Sequence, residues 1–110
     1  MNEVYVVSAV RTAIGTFGGS LKDIPPAELA SRVTAEAVRR ASVAPADIGH
    51  VVFGQVVQTE PRDMYVSRVA AVDAGIPVET PALTAGDCVG GAKHQARRLQ
   101  MSPSPSPWKA

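Results

Sequence analysis

Residues 4–10, Val-Tyr-Val-Val-Ser-Ala-Val, are apolar at almost every position and rich in β-branched side chains. Such a run predicts a strand buried on both faces of a mainly parallel sheet. Gly15, Gly18, Gly19 and Ser20 follow within a few positions and let the backbone turn, so residues 11–23 read as a loop. Pro25-Pro26 then sets up a helix start, because proline at the first helical position gives up only a hydrogen bond that would be orphaned anyway. The helix is predicted over 26 to about 41. Leu29, Val33, Ala37 and Ala41 recur every four residues with Val38 beside them, while Glu28, Arg32, Glu36, Arg39 and Arg40 cover the other faces.

Asp47 is expected to cap a short turn before a second buried strand over 51–57, interrupted by Gly54. A polar loop, 58–63, leads to a second helix over about 64–73, which Gly75 is placed to end in the left-handed conformation. Pro77 and Pro81 flank an extended segment that closes on Ala82-Leu83-Thr84, a third strand of edge type. The order β-α-β-α-β implies an α/β fold with a mixed or parallel sheet and helices against it.

From residue 85 the pattern breaks. Gly86, Gly90 and Gly91 precede Lys93, His94, Arg97 and Arg98, and the alternating Ser-Pro run from Ser102 favours extended or unpaired chain. The sequence therefore divides into an ordered unit over 1–84 and a divergent, poorly ordered tail over 85–110. At 110 residues, one small domain can bury roughly 60–70% of the surface its unfolded chain exposes. Hydrophobic residues at 45% and charged residues at 19% are a globular composition. A net charge of +1 argues against a nucleic-acid or anionic-membrane partner. The single cysteine, Cys88, makes no internal disulfide, and the opening residues lack the basic and long apolar stretches of a signal peptide. A soluble, cytoplasmic protein is expected.

The stretch from Val6 through Arg11-Thr12-Ala13-Ile14-Gly15-Thr16-Phe17-Gly18-Gly19 resembles the start of thiolases, where a strand runs into an R-T-x-[IF]-G-x-F-x-G loop. Pro26-Ala27-Glu28-Leu29, Val52-Phe53-Gly54-Gln55-Val56, Arg68-Val69-Ala70-Ala71, Gly75-Ile76-Pro77 and Pro81-Ala82-Leu83-Thr84 continue the likeness, in the acetyl-CoA acetyltransferase and β-ketothiolase branch. The resemblance implies a partial, incomplete thiolase-like β-α-β-α-β layered half-domain from a family of dimers and tetramers. It also implies reversible condensation of two acyl-CoA molecules through an acyl-cysteine, with the coenzyme A thioester as substrate and no bound cofactor or metal.

Thiolases set their nucleophile in T-x-N-x-x-C-G-S-G, at a helix N-terminus that favours the thiolate. Here Thr84-Ala85-Gly86-Asp87-Cys88-Val89-Gly90-Gly91 brings the cysteine one residue early, omits the Asn and places Asp87 where it opposes thiolate formation. A second alignment matches Gly86 to Ala92 to the later G-D-x…G-G-A-E stretch of the family. An internal deletion would then have removed the nucleophile, and a shifted frame would account for the residues from Lys93. Cys88 is thus either the acyl acceptor or a thiol with no catalytic part. His50 and His94 do not inherit the role of the family's histidine, which in thiolases lies well downstream of the stretch that this sequence resembles. The 15–19 loop lacks the Lys-Ser/Thr and the spacing of a phosphate cradle, and Arg11 reads as a donor tying the loop to the fold. Two functions remain open: an acyltransferase chain inactive by itself, or a non-catalytic fragment that keeps an association surface and self-associates.

Overall fold

The computed structural model describes residues 2–86; Cys88, His94 and almost all of the predicted 85–110 tail lie outside the described residues. The architecture is α/β, with a small parallel sheet and helices against it. Helix α1 is Pro26–Ala41, strand β1 is Val51–Gly54, helix α2 is Val66–Asp73 and strand β2 is Ala82–Ala85. Single turns of 3-10 helix, Pro45–Asp47 and Pro61–Tyr65, precede β1 and α2.

Helix α1 begins where the proline pair places it. Pro25 is extended, Pro26 occupies the first turn, and Ser42 closes the helix in the left-handed region at φ 55°, its N–H donating to the Arg39 carbonyl. The buried face differs from the expected one. Ala27 and Ala30 are buried and Val38 packs on the core, whereas Leu29, Val33, Ala37 and Ala41 are only half-buried. Alanines on the inner face let the α1 and α2 backbones approach closely, and Ser31 bridges the pair by donating to the Ala27 carbonyl (2.7 Å) and to Asp73 Oδ2 (3.3 Å).

Helix α2 packs against α1, β1 and β2 and is the centre of the molecule. Ala30, Val66 and Ala70 form one buried cluster, and Val51, Ala71 and Ile76 another, with Phe53 packed against both. Gly75 ends the α2 segment at φ 84°, as the sequence predicts, and Ile76 folds back so that its N–H donates to the Ala71 carbonyl (2.9 Å). β1 and β2 run parallel in register Val51↔Ala82 to Gly54↔Ala85, the two strands being joined through α2.

Three further expectations are corrected. Residues 4–10 form no strand: Val4, Tyr5, Val6 and Val7 are exposed, Val6 at 87%. A β-branched run prefers extended backbone, but a strand exists only when its N–H and C=O groups find a partner, and the described sheet contains β1 and β2 alone. The β-α-β-α-β order is therefore observed without its first strand. β1 stops at Gly54, four residues long, and Val56 and Val57 beyond it are exposed. Asp47 lies within a 3-10 turn whose cap is Ala44, and it caps nothing with its side chain.

Candidate functional site

Because β1 and β2 are parallel, both chains leave the sheet at the same end, and open α/β sheets bind their ligands outside the carboxyl ends of the strands. Gln55 follows β1 and Gly86 follows β2 at that end. The Gln55 N–H donates to the Ala85 carbonyl at 2.8 Å, and a Cβ on Gly86 would stand 3.5 Å from the Gln55 carbonyl, so the two exits are clasped together. Cys88 comes two residues after Gly86 in the sequence.

Two buried polar groups were not anticipated from sequence. Ser67, fully buried near the start of α2, lies 2.7 Å from the Thr84 hydroxyl of β2 and donates its backbone N–H to that same oxygen at 3.3 Å. Asp63, with 0% of its surface accessible, gathers the loop after β1. Its carboxylate accepts the Thr59 N–H (3.0 Å), the Thr59 hydroxyl (2.7 Å) and the Glu60 N–H (3.3 Å). Glu60 accepts from the Asp63 N–H in return, which makes a capping box on the turn that enters α2. A Thr-Glu-Pro-x-Asp pattern just before an apolar run is the signal that could have exposed it.

The Thr59 hydroxyl first, then the Thr59 and Glu60 N–H groups and the Gln55 amide, hold the Asp63 carboxyl below the ordinary carboxylate range, against burial, which pushes it up. Its folded-state value is thus below the unfolded 3.8, so ionised Asp63 stabilises the fold fully above that pH, and the contribution is lost as pH falls through the folded value. Thermal unfolding through the acid range should show a loss below pH 3.8 that is shallower in Asp63→Asn. Equal slopes in the two proteins would refute this account.

The remaining candidates sit elsewhere. His50 is exposed immediately before β1, at the amino end of the sheet and away from Gly86. Arg11 is exposed and donates to the carbonyl of its neighbour Thr12 (3.1 Å), so it does not tie the loop to the fold as expected. An open cleft of about 600 Å³ lies between residues 9–13 and Glu36 and Arg40 of α1. Glu36 is occupied there by Arg39 (2.6 Å) and Arg40 (2.6 Å), and these bonds, Arg39 first, lower its pKa to about 2. A second cleft, of about 520 Å³, is lined by Asp47, Ile48, Thr80 and Pro81 just before the strands begin. At that amino end Thr80 donates its hydroxyl to the Ile48 carbonyl at 3.2 Å, tying together the segments that lead into the two strands.

The sequence matches the thiolase N-terminal domain family over residues 4–96. The chain belongs to the thiolase family. The thiolase match continues past Thr84 and includes Cys88. Among similar proteins, the beta-ketothiolase BktB of Cupriavidus necator is 64% identical over 88 residues, 80% of this chain and 22% of that protein. An acetyl-CoA acetyltransferase of Clostridioides difficile is 37% identical over 105 residues, covering 96% of this chain and 97% of that one. The crystal structure of human mitochondrial 3-ketoacyl-CoA thiolase in complex with CoA superimposes with a TM-score of 0.78 at 34% identity, over 87% of this chain and 25% of that one. This thiolase chain thus spans about a quarter of that structure, and 22% of the Cupriavidus relative. Among the described residues no helix is long and apolar enough to cross a membrane.

Proposed function

We propose that the chain is the N-terminal part of an acyl-CoA acyltransferase of the thiolase type, with Cys88 as its candidate acyl acceptor, and that by itself it turns over no substrate. The family match through residue 96 carries the reading. In the acyl-transfer half, the Cys88 thiolate attacks the thioester carbonyl carbon. A new carbon–sulfur bond forms, the bond to the coenzyme A sulfur breaks, and the departing thiolate takes up the proton the cysteine gave away. Asp87 beside Cys88 disfavours the thiolate and slows this step. Condensing a second acetyl-CoA to acetoacetyl-CoA needs a base for its methyl group and donors for two oxyanions. His50, at the wrong end of the sheet, supplies neither.

Mass spectrometry after incubation with acetyl-CoA should find one acetyl group on Cys88, absent from Cys88→Ala. Acetoacetyl-CoA cleavage should not exceed that of the same control. Cleavage well above it would end the claim of inactivity, and an unmodified Cys88 would end its role as acceptor. A second reading, a non-catalytic module retained for self-association, is favoured by the exposed Val4, Tyr5, Val6, Val7, Val56 and Val57. An unmodified cysteine in a self-associating chain would leave that one standing.

A further inference from the structure

Helix α2 packs against every other main element, yet its own sequence does little to hold it. It is 8 residues long, and helices shorter than roughly 12–15 residues are marginal in water by themselves. Helix α1 begins on a proline pair, with Glu28 in its first turn and Arg39 and Arg40 in its last. Helix α2 has no acidic residue at its start and no basic one at its end, where Asp73 opposes the helix dipole. The capping box of Glu60 and Asp63 serves the 3-10 turn before it. At Tyr65 the backbone leaves the helical region (φ −126°, ψ 57°), so α2 starts afresh, and the Tyr65 side chain caps nothing.

A cap reaches α2 from another element. A threonine immediately before a helix would accept the N–H of the second or third helical residue. Ser67 is the second residue of α2, and its N–H donates to the Thr84 hydroxyl of β2 at 3.3 Å, from 17 positions away in sequence. The Ser67 hydroxyl stands 2.7 Å from the same oxygen, an ordinary O–H···O distance. Ser67 itself is at 0% exposure, so bulk water does not compete for these bonds.

We propose that Thr84 is a positioning residue: from β2 it supplies the N-terminal cap of α2, and the first turn of α2 keeps its helical form only while β2 is docked. Thr84 heads the stretch that resembles the family's nucleophile segment, but its hydroxyl serves the helix. The latch stands without the acyl-acceptor reading of Cys88, and its test involves no acyl group.

Amide hydrogen exchange of the 110-residue chain reads the latch directly. Thr84→Val keeps the shape of the side chain and deletes the acceptor, which leaves the Ser67 N–H and hydroxyl buried without that partner. Ser67 should then exchange about tenfold faster, with Val33 in the middle of α1 changed by less than about twofold. Thr84→Ser restores the hydroxyl and should return Ser67 to within about twofold of the parent chain. Equal acceleration at Ser67 and Val33 would mean that Thr84 acts only through global stability. Exchange as fast in Thr84→Ser as in Thr84→Val would mean that the methyl group matters and the hydroxyl does not. Either result, or an unchanged Ser67 in Thr84→Val, overturns the proposal. Should Thr84→Val fail to fold, exchange of the parent chain in low urea decides: Ser67 must open whenever the amides of β2 open, and a Ser67 still protected after β2 is released would refute the latch.

Discussion

Light scattering across a dilution series should give a mass that rises with concentration well above the 11.5 kDa of one chain. The reason lies in surface that the fold leaves uncovered. Val4, Tyr5, Val6 and Val7 stand exposed in succession, Ile14 and Phe17 follow at 89% and 108%, and Val56 and Val57 are exposed beyond β1. Each large aliphatic or aromatic side chain kept in water forgoes roughly 1.5–3 kcal/mol of burial, so a few of them rival the whole stability of a small domain. The sheet adds a second drive, because a two-stranded sheet presents one unpaired edge on each strand, and an extended β-branched segment is the kind of chain that such an edge templates. Val6→Lys should lower the mass toward one chain without changing the core, since Val6 contributes nothing to either buried cluster. A concentration-independent mass of 11.5 kDa in the unsubstituted protein, together with cooperative unfolding, would show that the chain closes its own core.

Ala70→Leu should be strongly damaging to the fold. Ala70 is at 0% exposure on the α2 face that meets Ala30 of α1 and Phe53 of β1, so a larger side chain must push the helices apart or distort the sheet. Overpacking of this kind costs about 1–3 kcal/mol. Val72, 44% exposed on the same helix, serves as comparison: Val72→Leu should stay within about 0.5 kcal/mol of the parent protein. Urea unfolding of both variants at one protein concentration checks the pair. Comparable midpoints would mean that α1 and α2 do not pack as closely as their alanines suggest.

What was read correctly and what was misread differ in how far along the chain their causes lie. Helix α1 was legible from end to end because its limits are local. A proline pair presets the first turn, and a run of good helix formers carries it to Ala41. Gly75 was legible for the same kind of reason, since its positive φ is a property of one residue and its immediate neighbours. Family membership was likewise written in short motifs along the first three-quarters of the chain.

Which side of α1 is buried was not local. Large aliphatic residues at 29 and 33 suggest a core-facing stripe, but α2 brings its own alanines close, and the shallower Ala27–Ala30 face fits them better. Asp63 could be recognised as a capping residue, whereas its complete burial depends on the turn that holds it packing against both helices. Residues 4–10 illustrate the limit most directly. Composition states a preference for extended, buried backbone, but hydrogen-bonding partners come from other parts of a fold, and the parallel β1–β2 pairing leaves this run exposed. Local conformation is carried by each residue's own backbone and side-chain preferences. Pairing and burial are relations between distant segments, settled only when those segments meet.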